Sequence, residues 1–511
     1  MYTVGVGLGN GGTAVARAYS NWIRLLVYTL PPPMADYRRK RWRNEMAVRI
    51  DVNGALEWLV GEGGLRENEL ASLEQHVAGA HAAMDAKRKS KSMRFRDLPY
   101  EKREVQKVLE LAREVKSESD TLVVLGIGGS VLGTRALYGA LRPPFHGAHP
   151  GSEERGARLI IADNVDPGGF GAILDEVDPH RTTFNVISKS GETAETMSQF
   201  LIVRERLLKV LGAVDYSRRV VMTTDADAGA LRQIVNDEGF RSLAIPSGVS
   251  GLYSVLSSVG LFPAAVTGID VNELLAGAAA MDERCSAPSL FENPAYLLGA
   301  VHYLAHVARQ KIVHVLMPYS DALAGLADWS AQLLAESLGK ELDLDGRVVH
   351  NGLTPLSAVG ASDQHSLLQL FVEGPNDKIV TFVRVEDHAA RLEIPEGYGD
   401  LESVGYLGGH TLGELLNLEQ RATEIALAAR GRMTTTLHVP AVNPFTVGQL
   451  MYLLEVMTVL MAGLYRVDPF DQTGIDEGKR LTYGMAGRRG YEEKRAEVDA
   501  WVQKRSPRFV L

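Results

Sequence analysis

The run from Leu122 to Leu125 is apolar without interruption and opens directly into Gly126, Gly128, Gly129 and Ser130. A strand with no polar alternation has to be covered on both faces. Similar runs recur at 158–162, 183–187, 219–222 and 242–245, with helical stretches between them. Strands of this kind alternating with helices describe a parallel sheet packed by helices on both sides. A second series begins at 312–317 and leads through Pro318 and Asp321 into a long amphipathic helix, 322–338, that stops at Gly339. Further strands are expected at 354–357 and 378–385, and helices at 411–429 and 446–464. Each series has a strand, a small-residue turn and a helix, which suggests two related α/β units.

Ligands of open α/β sheets bind beyond the carboxyl ends of the strands. The exit of the 183–187 strand is Ser188, Lys189, Ser190, Gly191, Glu192 and Thr193, and a helix-forming stretch follows from Ala194. A helix that starts where a strand stops leaves its first N–H groups unpaired, and these attract anions. Three hydroxyls, a glycine that admits close backbone approach and a lysine suit a phosphate monoester. A plain capped helix is the bland alternative, since Ser and Thr are common caps. The Gly126–Ser130 turn fits the same pocket, as a polyol contact or simply as a tight βα turn.

At 511 residues the chain exceeds what one core holds, so two or more domains are expected. A net charge of −9 argues against nucleic acid as the main partner. The single cysteine, Cys285, excludes an internal disulfide and fits a reducing cytoplasm. No apolar run approaches the ~20 residues needed to span a bilayer. Residues 1–45 read as a poorly ordered or spurious extension. Their glycine-rich stretch from Gly5 to Gly12 lacks the preceding buried strand and later acidic residue of a dinucleotide site. The remaining expected organisation is a helical segment at 46–118, α/β domains at 119–270 and 271–485, and a C-terminal helix or tail at 486–511.

Three further residues have chemical potential but little individual weight. Glu336 lies near the end of a helix with Gln332 one turn earlier on the same face, although a surface glutamate beside Lys340 accounts for the spacing as well. His365 follows a turn-prone stretch. Lys479 sits among carboxylates, as in a surface ion pair.

Taken together and in order, these segments resemble the glucose-6-phosphate isomerases. The matching motifs are Gly126–Gly133, Ser188–Thr196, Tyr319–Lys340, Asp363–Ser366, Glu373–Lys378 and Pro469–Lys479. The resemblance implies two doubly wound sugar isomerase (SIS) domains. It also implies a catalytic Glu336 moving a proton between C2 and C1, with His365 and Lys479 assisting ring opening. Ser188, Lys189, Ser190 and Thr193 would bind the phosphate, and Gly129, Ser130, Glu195, Gln332 and Gln472 would line the sugar. No metal or cofactor is implied. A homodimer is implied, with His365 supplied across its interface. One position departs from the family: Leu252, within Ser250–Ser254, stands where an arginine is expected. Arg135 and Arg241 are candidate substitutes for its charge. Leu252 also keeps open a second reading, a weakened phosphosugar-binding sensor.

Overall fold

The computed structural model describes residues 45–142 and 156–511. The expected extension at 1–45 therefore lies almost wholly outside the described residues. Five parallel strands form the first sheet: β2 (Thr121–Leu125), β3 (Arg158–Ala162), β4 (Thr182–Ile187), β5 (Val220–Asp225) and β6 (Arg241–Ile245). Their order is β3-β2-β4-β5-β6. All six residues of β4 are buried, the polar Thr182, Thr183 and Asn185 included, as in a strand covered on both faces. The order reverses direction between β2 and β4, so the loops leaving those two strands flank the switch point where α/β ligands bind.

The second sheet contains β7 (Val313–Pro318), β10 (Thr354–Ser357), β11 (Lys378–Asp387) and β12 (Met433–Ala441), all parallel. Their spatial order, β12-β11-β7-β10, repeats the β5-β4-β2-β3 order of the first sheet. The faint internal similarity of the sequence is thus a shared topology. In the fifth position the sheets differ. There β1 (Arg49–Asp51) pairs antiparallel with β12, Ile50 opposite Leu437. The segment 46–118 is therefore not purely helical: it lends an edge strand to a sheet whose other members begin at residue 313. A small hairpin of β8 (Lys340–Leu342) and β9 (Val348–Asn351) stands apart.

The helix Pro444–Tyr465 runs through the core, and every residue from Phe445 to Ala462 is buried. A helix apolar on all sides has to be buried in this way. This corrects the expectation drawn from apolar runs, because by length and composition the helix could cross a membrane; 89% of its apolar window is packed inside the protein. Beside it, Asp282 anchors the N-terminal segment. Its carboxylate receives Arg96 Nη2 at 2.7 Å, Arg88 Nη1 at 3.1 Å, the Tyr100 hydroxyl at 2.9 Å and the Tyr452 hydroxyl.

A second buried network joins β7 to the helix Pro294–Arg309. His314 Nε2 lies 3.0 Å from the Lys311 carbonyl, so it donates, and His314 Nδ1 must accept from His302 Nδ1 at 2.9 Å. The Thr381 hydroxyl then donates to His302 Nε2 at 3.0 Å. Every partner is satisfied only while both rings are neutral. Burial lowers the pKa of His302 to about 4 and that of His314 well below the usual value. Because the folded pKa values lie below the unfolded one, their contribution is complete above about pH 6.5 and is lost on acidification towards pH 4. The unfolding free energy should therefore decline on acidification below pH 6.5, with a slope reaching about 1.4 kcal/mol per pH unit per histidine, and the thermal midpoint should decline with it. Replacing both histidines with glutamine should flatten that limb of the profile. An unchanged slope would assign the acid sensitivity elsewhere.

Candidate active site

The loop expected to hold phosphate, 188–193, is built by hydroxyl groups that bond within it. Ser188 Oγ accepts from Gly191 N at 3.0 Å and lies 3.2 Å from Thr193 Oγ1, while Ser190 Oγ accepts from Glu192 N at 3.2 Å. Gly191 adopts φ +71°, and a Cβ there would lie 2.2 Å from Leu231 N, so the turn requires glycine. Thr193 occupies the N-cap position of the helix Ala194–Asp215, yet its side chain makes no capping bond. The first helical N–H groups are thus left facing the loop. Lys189 Nζ donates to the Val249 carbonyl at 3.0 Å, tying the loop to the segment that carries Leu252.

The turn after β2 brings the second half of the site against the first. A Cβ on Gly129 would lie 2.8 Å from the Gly251 carbonyl, and one on Gly128 would lie 2.9 Å from Gln332 Nε2. Gln332 in turn donates to Glu336 Oε1 at 2.7 Å, one turn along the helix Ala324–Leu338. Gln472 Nε2 donates to Glu336 Oε2 at 2.6 Å. Both oxygens of this half-buried carboxylate are therefore oriented by amides. The expected alternative partner of Glu336, Lys340, instead donates to Asp471 Oδ1 at 2.9 Å and holds the Gln472 segment in place. Next to Glu336, the Ser337 hydroxyl lies 3.0 Å from the buried Tyr253 hydroxyl.

Other predicted site residues are not gathered here. Ser130 ends the glycine turn, and half-buried Glu195 lies in the first turn of the helix Ala194–Asp215. His365 ends a short helical turn, Ser362–His365, with its side chain exposed and without a hydrogen bond or ion pair among the described residues. Lys479 is half exposed in the helix Asp476–Met485, 3.9 Å from Asp476. Leu252 is only 2% exposed and belongs to the main hydrophobic core. Both proposed substitutes for its missing charge have carboxylate partners. Arg135 pairs with Asp163 at 2.5 Å. Arg241 begins β6, at the edge of the sheet opposite the loops, and is bound to Glu118. Among the described residues no cluster of three His, Cys, Asp or Glu residues is arranged to hold a metal.

Sequence reading missed one group at this site. Arg488 Nη2 donates to Glu192 Oε2 of the phosphate loop at 3.3 Å, and the Tyr483 hydroxyl donates to the Glu192 carbonyl at 3.3 Å. These partners lie about 290 residues apart in the chain, where no spacing rule reaches.

Two parallel α/β sheets of shared topology, an uncapped helix N-terminus at a switch point and a carboxylate fixed by two amides are the parts that a phosphosugar isomerase of the SIS class requires. A family model described as phosphoglucose isomerase matches residues 109–502. The chain belongs to the phosphoglucose isomerase family. It is 42% identical over 467 residues to a glucose-6-phosphate isomerase of Carboxydothermus hydrogenoformans, covering 91% of this chain and 100% of that one. A glucose-6-phosphate isomerase of Rubrobacter xylanophilus is 44% identical over 445 residues, covering 87% and 99%. The crystal structure of a hypothetical protein from Thermus thermophilus superposes with a TM-score of 0.76 at 37% identity, covering 86% of this chain and 100% of that one.

Proposed function

We propose that this chain interconverts D-glucose 6-phosphate and D-fructose 6-phosphate by ring opening and proton transfer through an enediolate. The observation that carries the reading is Glu336, whose two oxygens are held by Gln332 and Gln472 beside the glycine turn of the phosphate-loop domain. A carboxylate fixed in this way can take the C2 proton and return it to C1 without reorienting. Ser188, Ser190, Thr193 and the uncapped helix N-terminus hold the phosphate, with Lys189 bracing the loop. Gly129, Ser130, Glu195, Gln332 and Gln472 line the sugar. Lys479 and His365 move protons between the ring oxygen and the C1 hydroxyl.

His365 serves from a second copy of the chain in this scheme, which makes a homodimer the active unit; its exposure and lack of partners among the described residues support that role. The test is conversion of fructose 6-phosphate to glucose 6-phosphate by the natural protein. Tight binding without conversion would sink the reading and leave a phosphosugar sensor.

Leu252 gives a sharper prediction. An arginine there would stabilise the oxyanion developing on the enediolate, and one such donor is typically worth about 10²–10³ in rate. Leucine offers no hydrogen bond. Leu252→Arg should raise turnover while lowering the thermal midpoint, because the new guanidinium enters a core position. A folded variant whose rate is unchanged or lower would show that the arginine is dispensable in this site.

A further inference from the structure

The segment from Gln472 to Tyr491 touches the site at both ends. At one end Gln472 holds Glu336. At the other, Arg488 reaches Glu192 of the phosphate loop from the turn after the helix Asp476–Met485. Lys479 lies between them, four residues before Tyr483 and so on the same helical face. The Arg488 guanidinium lies 4.4 Å from the centre of the Tyr483 ring and 5.4 Å from that of Tyr491. An exposed ion pair alone is worth little. Two aromatic rings, however, fix the plane of the guanidinium before it meets the carboxylate. Glu192 also sits inside a loop suited to a phosphate dianion, where an unneutralised carboxylate opposes binding.

We propose that Arg488 is a positioning residue: it neutralises Glu192 and locks the lysine-bearing helix to the phosphate loop, so that phosphate binding aligns Lys479 with the sugar. The proposal rests on the phosphate-loop reading above. Arg488→Gln should raise the KM for fructose 6-phosphate and lower kcat, each by about fivefold. Arg488→Lys keeps the charge but not the planar stack, so it should restore KM and leave kcat low. Glu192→Gln should lower kcat without raising KM, and adding it to Arg488→Gln should lower kcat no further. Kinetic constants of Arg488→Gln within twofold of the natural protein, or single effects that multiply in the double variant, would overturn the proposal.

Hydrogen exchange of the full-length proteins, with and without fructose 6-phosphate, separates the two readings. In the natural protein the sugar phosphate should slow exchange at both 188–193 and 476–485. In Arg488→Gln it should slow exchange at 188–193 only. Protection of both segments in the variant removes the lock and leaves the phosphate loop standing. No protection at 188–193 in the natural protein removes both.

Discussion

Glu336→Gln should reduce turnover of fructose 6-phosphate by about 10²–10⁴-fold, the usual contribution of a positioned general acid–base group. The loss should fall on kcat, because glutamine has nearly the shape of glutamate and the phosphate loop is untouched. Glutamine offers one acceptor oxygen where glutamate offers two, so one of the donating amides, Gln332 or Gln472, must turn its own oxygen inward. That rearrangement is local and should leave the thermal midpoint within a few degrees. Calorimetric titration with fructose 6-phosphate beside steady-state kinetics checks both parts. A variant keeping a tenth of the natural turnover would mean that another group moves the proton.

Asp282→Ala should have the largest effect on stability. Burial by itself would raise the pKa of this carboxyl, but Arg96, Tyr452 and Arg88 outweigh it and hold the group ionised, below the ordinary aspartate range. Removing the carboxylate leaves Arg96, only 1% exposed, with the partly exposed Asp85 at 3.6 Å as its remaining ion-pair partner. Breaking a buried pair from one side costs about 3–5 kcal/mol. At this chain length that corresponds to a fall in thermal midpoint of roughly 3–5 °C. The hydrogen bonds of Asp282 run to Arg88, Arg96, Tyr100 and Tyr452 and not to the phosphate loop or Glu336, so KM should be unchanged at moderate temperature. A midpoint within 2 °C of the natural protein would mean that water or a neighbouring carboxylate rescues Arg96.

What the sequence disclosed, and what it hid, follows from how far each interaction reaches along the chain. The β2 strand announces itself because after Thr121 it is apolar and buried on both faces, and β4 shows through Phe184, Val186 and Ile187 around a buried Asn185. The equally central β12 strand is hidden by Thr434, Thr435 and Thr436, which read as polar but are buried; the Thr435 hydroxyl, for one, bonds to Thr381 at 2.8 Å. With only three residues, β1 is too short to carry a period. The phosphate loop and the Gln332–Glu336 pair are local, so their spacing points to them. Gln472 on Glu336 and Arg488 on Glu192 join distant segments, and only the fold brings them together. Leu252 stood out as a departure from a family motif, yet its place in the core depends on packing that no motif records.

The edge strand β1 also sets the order in which this protein can be finished. The first sheet closes once the chain is made to residue 245. By contrast, β1 waits for β12, and the Val48 amide bonds to Gln449, 401 positions further on. The earliest described stretch to leave the ribosome is therefore among the last to find its place. Until then its apolar residues, Val48, Val52, Leu56 and Val60, are uncovered. A chain halted before Met433 would carry a complete phosphate-loop domain beside an adhesive, unpartnered N-terminal arm, which makes premature termination an aggregation hazard for this fold.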